Sequence, residues 1–416
     1  MANTEKRMDQ TENPYFWQRD GICLRTFEET DRLALERILL QTESRMEEER
    51  GISLPSCEQD AELLMEWVKE QTGQIWLAIA DETDRMAGYT VLRNIDERNG
   101  NADVYLTVLP EFRRKGYASA TLGILCDYAF KERRLHKLCA TVIQGNEAAE
   151  GFLSDFGMLR ECVKKEMIFL NGAYRDEYCY GLTKEEYDFQ TAGEKAQGAE
   201  DKRCDESAGP DGDTDLLKSR EVKTAHTKKE RTETQGNRPD FWHCGDIRLR
   251  ALTVADCVFL NGIRNESGAC RMFNDDVMLP GEGFCIPGFD EEHTDFENAD
   301  GRTVFAVEND RKKCVGAIQL FATDRKNGTF SFSIYIAGAY RQKGYGAKAL
   351  HLLLEYGFRQ QRFHKCNTVV NEENTASLGL MKSLGFVYEG TQRDMVYYNG
   401  NYVNKIHLGM TEEGFE

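Results

Sequence analysis

"RQKGYG" at 341–346 and its near twin "RRKGYA" at 113–118 decide how this chain is read. Each follows a run of strand character, "FSFSIYIA" (330–337) and "ADVYLTVL" (102–109). Each leads into apolar residues at helical spacing, Leu350, Leu353, Leu354 and Phe358 in one case and Leu122, Leu125, Tyr128 and Ala129 in the other. A basic, glycine-spaced turn between a strand and a helix start has a physical use. The first N–H groups of a helix lack internal partners, and the helix dipole favours an anion there. The expected ligand is a pyrophosphate or similar polyanion. Taken alone, a basic helix start with a tight entry explains the letters equally well.

The two phrases lie 228 positions apart, and the same offset holds without a gap to the C-terminus. Between 103–188 and 331–416, 24 of 86 positions are identical. Shared residues include "LHK" against "FHK", Asn146 against Asn374, Gly157 against Gly385, and "NGAY" against "NGNY". Upstream, "NPYFWQRDGICLR" (13–25) matches "RPDFWHCGDIRLR" (238–250) at an offset of 225. The chain is a duplication. The expected units are 13–189 and 238–416, joined by 190–237, a polar and charged stretch too poor in large apolar residues to offset chain entropy and read as a flexible linker, with some helix possible around "DLLKSREVK".

Each copy reads as a strand, a helix, an acidic irregular segment, then three strands, the glycine turn and its helix. A further strand, a short helix and a strand pair about "NG" complete it. The fold class expected is α/β (α+β), two tandem domains, each a mixed, mostly antiparallel sheet flanked by helices.

The 416 residues carry a formal net charge of −18, which argues against nucleic acid as a main ligand. The 13 cysteines are scattered, with no C-x-x-C pair or metal-finger spacing to histidines, so no metal is expected. Several, such as Cys126, Cys139 and Cys366, lie in apolar runs and read as reduced core thiols. No apolar run approaches the roughly 18 residues of a membrane helix, and "MANTEKRMDQTENPYFW" has no apolar signal core. The expected location is cytoplasmic, without a membrane partner. No G-x-x-x-x-G-K-[ST] loop appears, which speaks against a mononucleotide-binding protein.

With these residues in place the chain resembles the GNAT superfamily of acetyl-CoA-dependent N-acetyltransferases over both copies. The turn stands as Arg113, Arg114, Lys115, Gly116, Tyr117, Ala118 and as Arg341, Gln342, Lys343, Gly344, Tyr345, Gly346. The resemblance implies that its backbone amides hold the pyrophosphate of coenzyme A. It also implies that Asn146 and Asn374 pair with pantetheine amides, a role compatible with capping the next helix. A second signature, Asn374 eleven residues before Gly385–Phe386, with Ser377 and then "YEG" and "NGNY", is similar to the ribosomal-protein-alanine and polyamine acetyltransferase branch.

Acetyl transfer needs a neutral amine, a donor for the oxyanion, and a proton for the leaving thiolate. The resemblance puts the oxyanion donor at the strand end, near Val108–Leu109 and Ile336–Ala337. The Tyr that many members place seven residues after the Asn is Leu153 and Met381 here, and neither can donate. Ser377 is the alternative acid, or a capping serine; the first copy has Ala149. Asp103 and Glu389 (with Glu161 its counterpart) are base candidates, against the plainer reading of solvated strand residues. His136 and His364 read as structural. The acidic stretches at 43–62 and 289–300, with Trp67, Phe284 and Phe289 nearby, suit a cationic acceptor or are simple solubility charge.

The function expected is acetyl transfer from acetyl-CoA directly to a primary amine of a small, polyamine- or aminoglycoside-like cation. A protein N-terminus is the alternative acceptor, and a CoA-binding pseudoenzyme the alternative class. The second copy keeps more of the motif set. The chain is expected as a monomer or homodimer.

Overall fold

The computed structural model describes residues 17–40, 73–200, 242–264, 302–398 and 400–415. The first repeat carries β1 (Gln18–Arg19), β2 (Ile22–Arg25), β3 (Ile75–Ala80), β4 (Met86–Asp96), β5 (Asn101–Val108), β6 (Lys137–Ile143), β7 (Leu159–Leu170) and β8 (Ala173–Thr183). The second carries β9 (His243–Cys244), β10 (Ile247–Arg250), β11 (Thr303–Asn309), β12 (Cys314–Asp324), β13 (Thr329–Ile336), β14 (Lys365–Asn371), β15 (Val387–Tyr398) and β16 (Asn401–Thr411). Helices α1 (Arg32–Leu40), α2 (Tyr117–Asp127), α3 (Glu147–Asp155) and α4 (Lys184–Glu200) belong to the first repeat. Helices α5 (Val254–Arg264), α6 (Tyr345–Glu355), α7 (Thr375–Ser383) and α8 (Glu412–Phe415) belong to the second.

Within each repeat the sheet is antiparallel except for one pair. Strands β5 and β6 run parallel, as do β13 and β14. These parallel pairs are short: Asn101–Asp103 meets Lys137–Cys139, and Thr329–Ser331 meets Lys365–Asn367. Beyond them the two strands diverge, leaving a V-shaped opening in each repeat. The face of β3–β5 that carries Leu77, Ile79, Leu92 and Val104 packs on α2 through Leu122 and Leu125, forming one core cluster. The second repeat repeats this with Ile318, Phe332, Leu350 and Leu353. Cys126, Cys139 and Cys366 are buried free thiols, as their apolar settings suggest. Burial pushes the Cys139 thiol up to about 12.

Helix α4 continues to Glu200, into the stretch read as linker, because "KEEYDFQTAGEKAQGAE" is composed mainly of good helix formers. The remainder of that stretch, and the helix suggested near "DLLKSREVK", lie outside the described residues. So do the acidic stretches 43–62 and 289–300 with Trp67, Phe284 and Phe289. No helix among the described residues is long and apolar enough to cross a membrane.

The two sheets join into one of 16 strands through β7 and β15, which meet at a single pair, Gly390 opposite Cys162. A Cβ on Gly390 would stand 2.3 Å from the Cys162 Cβ, so this crossing requires glycine. Around it the contacts come in symmetric twos. Lys137 Nζ donates to Glu161, 2.7 Å away, and reaches the Arg393 carbonyl of the other repeat. Lys365 Nζ donates to Glu389 at 2.6 Å and reaches the Lys165 carbonyl. The rings of His136 and Tyr402 stack at 3.7 Å, and those of Tyr174 and His364 at 3.6 Å. Asn99 and Asn327 accept from the N–H groups of Tyr397 and Phe169.

Both lysines are fully buried, with side-chain exposures of 0% and 1%, against carboxylates at 2% and 4%. Removing one partner of such a pair leaves a desolvated charge and costs about 3–5 kcal/mol. Lys365→Ala is therefore expected to lower the unfolding free energy by about that much in a denaturant titration. The exposed Lys382→Ala should stay within about 0.5 kcal/mol. A loss below about 1 kcal/mol for Lys365→Ala would place the pair among weak surface contacts instead.

Candidate functional site

Strand β5 fixes the geometry of the opening. Leu109 N–H bonds the Ala87 carbonyl at 2.8 Å, and Gly88 stands opposite Val108. Backbone groups alternate along an antiparallel strand. Those of Val104, Leu106 and Val108 therefore point away from β4, into the opening. In the second repeat Ala337 N–H bonds Val315 O at 2.9 Å, which directs Phe332, Ile334 and Ile336 the same way. This divides the expected oxyanion donors. The N–H groups of Leu109 and Ala337 are taken by the neighbouring strand, whereas Val108 and Ile336 face the opening. Gly88 and Gly316 allow this close approach: a Cβ on either would stand 2.1 Å from a carbonyl oxygen of the adjacent strand.

Past the strand end a one-turn 3-10 segment, Pro110–Phe112 or Gly338–Tyr340, leads into the glycine turn. Arg114 (φ 58°) and Gly116 (φ 85°) are left-handed, as are Gln342 (φ 60°) and Gly344 (φ 77°). Such alternation gathers successive N–H groups into a concave anion-binding nest. Gly116 and Gly344 are the N-caps of α2 and α6, and no side chain caps either helix. The N–H groups of the first turn are thus left to an external acceptor. A Cβ on Gly116 or Gly344 would meet nothing within 4 Å, so these glycines serve the backbone conformation and leave a clear approach.

Arg113 Nε donates to Val108 O at 3.0 Å, and Arg341 Nε to Ile336 O at 2.8 Å. Each arginine latches the turn to the strand end through that nitrogen. Lys115 lies over the Phe112 ring at 5.9 Å and Lys343 over Tyr340 at 5.3 Å. Tyr117 and Tyr345 open the helices. Ala118 replaces Gly346 without steric consequence, because a Cβ on Gly346 would find its nearest neighbour, Leu380, at an ordinary 3.6 Å. The missing glycine therefore does not weaken the first repeat's turn.

A cleft occupies the first repeat's opening, lined among others by Val104, Leu106, Val142, Asn146, Ala149 and Phe152. Asn146 caps α3, its Oδ1 accepting from Ala149 N–H at 3.1 Å; Asn374 caps α7 by accepting from Ser377 N–H at 3.1 Å. Ser377 thus occupies, in the second repeat, the place of cleft-lining Ala149. The position seven after each Asn is core: Leu153 is 6% and Met381 2% exposed.

Asp103 is the last residue of β5 paired to β6, at the apex of the opening, and accepts from Asn94 Nδ2 at 2.7 Å. The second repeat's Lys405 adds charge there. Burial pulls its ammonium below the usual lysine range, with Asp96 and Asp103 opposing. Glu389 lies elsewhere. Its carboxylate is buried at the seam between repeats, bonded to Lys365 Nζ and accepting from Lys165 N–H at 3.0 Å. Glu161 is held likewise by Lys137 and by Arg393, whose Nε is 2.9 Å away. A carboxylate this engaged is structural, which corrects the base role considered for Glu389. The histidines of "LHK" and "FHK" are seam residues too.

The arrangement suits coenzyme A: an anion nest for a pyrophosphate, an open strand edge for an amide-bearing arm, and a cleft beyond. A family model described as an acetyltransferase (GNAT) domain matches residues 22–159 and again 249–387. The chain is 31% identical over 176 residues to the SPbeta prophage-derived uncharacterized N-acetyltransferase YokL of Bacillus subtilis (strain 168), covering 42% of this chain and 96% of that protein. It is 26% identical over 163 residues to spermidine N(1)-acetyltransferase of Escherichia coli (strain K12), covering 39% of this chain and 84% of that one. Among solved structures, a spermidine N-acetyltransferase from Vibrio cholerae in complex with CoA and spermine matches 41% of this chain and 99% of its own, with 21% identity and a TM-score of 0.37.

Valine at position 344 would be forced into the left-handed region, at a cost of about 1–2 kcal/mol, and would obstruct the nest. Gly344→Val should weaken CoA binding to the second repeat by roughly tenfold or more in calorimetry. Gly346→Ala should change it less than about twofold, since the added carbon enters ordinary contact only. Equal losses from both substitutions would show that the turn's conformation is not what matters.

Proposed function

This chain belongs to the acetyltransferase (GNAT) family and is an acetyl-CoA-dependent N-acetyltransferase, and from that premise we propose that it acetylates a primary amine of a small polycation, with the second repeat as the main transfer site. The observation that carries the choice of repeat is Ser377, which the Asn374 cap sets at the position where, in the first repeat, Ala149 lines the cleft. Similarity to spermidine acetyltransferases supports the acceptor class.

Acetyl-CoA supplies the activated thioester, and the protein supplies position and protons. The turn amides at 341–346, and at 113–118, hold the pyrophosphate. The inward-facing N–H of Ile336 donates to the carbonyl oxygen as it gains charge. The amine attacks as the free base, having given its proton to water or a nearby carboxylate; in the first repeat we take Asp103 as that carboxylate. As the C–N bond forms and the C–S bond breaks, the Ser377 hydroxyl donates a proton to the departing sulfur and is reprotonated from water. The balance is one amide, one thiol and one released proton.

Ser377→Ala is expected to lower kcat for spermidine acetylation by about 10²-fold, the lower end for loss of a general acid, with CoA affinity unchanged. Thiol release in the presence of amines measures it. An unchanged kcat would remove Ser377 from the mechanism. CoA binding without release on any amine would identify a pseudoenzyme.

A further inference from the structure

The hairpin β15–β16 of the second repeat lies across the first repeat's sheet. Its Met395 and Val403 pack on Cys139, whose thiol donates to Met395 Sδ at 3.7 Å. Asn101 Nδ2 donates to the Met395 carbonyl at 3.1 Å, and the Tyr402 ring stacks on His136. Cys139 is the β6 partner of Asp103, the last residue of β5 in the short parallel pair. The hairpin therefore lies over the point where the first repeat's opening begins. Lys405 follows Val403 by two residues on β16, and alternate residues of a strand share a face. Its charge accordingly interacts with Asp96, Asp103 and Cys139, all of the first repeat.

Lys405 differs from the other lysines of the seam. Lys137 and Lys365 are held by Glu161 and Glu389. Lys164 donates to Glu177 at 2.6 Å, and Lys165 to Asp176 at 2.7 Å. Half-buried Lys405 has no hydrogen bond or ion pair among the described residues. A desolvated ammonium without a partner is costly, which favours the free base, and the free base is the form that attacks a carbonyl. The donor's path ends at the same place. The open-edge groups of Val108, Leu106 and Val104 run back from the 113–118 turn toward Asp103. An arm laid along this edge, from a pyrophosphate in the turn, carries its thioester toward the point over which Lys405 stands. The second repeat is built otherwise. Position 177 matches 405 at the common offset, and Glu177 is buried and bonded to Lys164. Ser331 and Asn367 take the places of Asp103 and Cys139.

We propose that Lys405 is an in-chain acetyl acceptor: the first repeat, with acetyl-CoA in its 113–118 turn, acetylates the lysine that the second repeat lays over its opening. The Nζ–C bond forms as the C–S bond breaks. One N–H proton passes through Asp103 or water to the departing sulfur. The products are an acetamide at Lys405 and the free thiol of CoA. The acetamide is neutral, so the charge that burial penalises is gone. The second repeat, with Glu177 at the matching position, keeps its acceptor side for an amine from outside. This inference rests on the pyrophosphate reading of the 113–118 turn and not on the acceptor proposed for the second repeat.

The test incubates the full chain with isotopically heavy acetyl-CoA and no added amine, and reads acetylated lysines by peptide mass spectrometry. Acetyl, heavy or already present on purification, is expected on Lys405 at about tenfold or more above the exposed Lys382, because an amine held against the thioester outpaces a solvated one. The rate per chain should not change with chain concentration, since donor site and acceptor lie in one molecule. Gly116→Val should lower the labelling by about tenfold, following the weakened turn. Calorimetric CoA binding by the second repeat shows that this variant is folded. Lys405→Arg keeps the charge and should remove this label alone. Lys405 left unacetylated, or labelled no faster than Lys382, overturns the proposal. So does labelling that rises with chain concentration or is undiminished in folded Gly116→Val. Lys405 labelled while spermidine is never acetylated would refute only the outside acceptor; spermidine acetylated while Lys405 stays bare would refute only the in-chain one.

Discussion

The architecture depends on a lysine that never meets water. Lys137 opens β6, and Lys365 opens β14, at the closed end of the short parallel pairs whose far end diverges. Each ammonium is neutralised by a glutamate two strands away and then bonds a carbonyl of the opposite repeat. Gly181 and Gly409 make the space. A Cβ there would stand 2.5 Å from Lys137 Cε or Glu389 Oε1. One buried charge thus fixes three things at once: the start of the strand that forms one wall of the cleft, the position of the last hairpin, and the contact between repeats. Burial pulls Lys365 below the usual lysine range, and Glu389 opposes that pull. Such a group tolerates folding only because every partner is in place.

Much of this was legible in the letters. The strand–turn–helix about each glycine phrase, the paired "NG" hairpins and the duplication all follow from patterns local in sequence or repeated at one offset. What escaped was long-range. Glu389 looked like a solvated or catalytic acid because its lysine lies 24 residues away, while the carbonyl that lysine also reaches lies 200 away. Leu109 looked like an oxyanion donor because a main-chain N–H carries no letter; only the register with β4 shows that Val108 faces the opening instead.

A signal for the seam was nevertheless present. Identities between the copies include His136/His364, Lys137/Lys365, Glu161/Glu389, Tyr174/Tyr402 and Gly181/Gly409. All five pairs lie at the junction of the two repeats or make room for it. An approximate two-fold axis places the same demand on both sides of a self-complementary contact. A letter kept in both copies can therefore mark the seam as readily as the active site, and the glycine turn accounts for only part of the shared set.

The same reasoning explains where the copies differ. A donor turn holding one common cofactor, and a seam whose halves face each other, both restrain two sequences to stay alike. The face under the first helix of each repeat meets neither constraint. There Trp76, Tyr89 and Tyr105 stand against Val304, Ala317 and Ser333, and Asp103 against Ser331. Three rings there give way to a valine, an alanine and a serine, while Thr107 and Arg93 give way to Tyr335 and Phe321, so the divergence moves rings about that face rather than removing them. Residues held in common describe what the repeats share, a cofactor and each other. The unmatched residues mark the surface that neither the cofactor nor the other repeat holds in place.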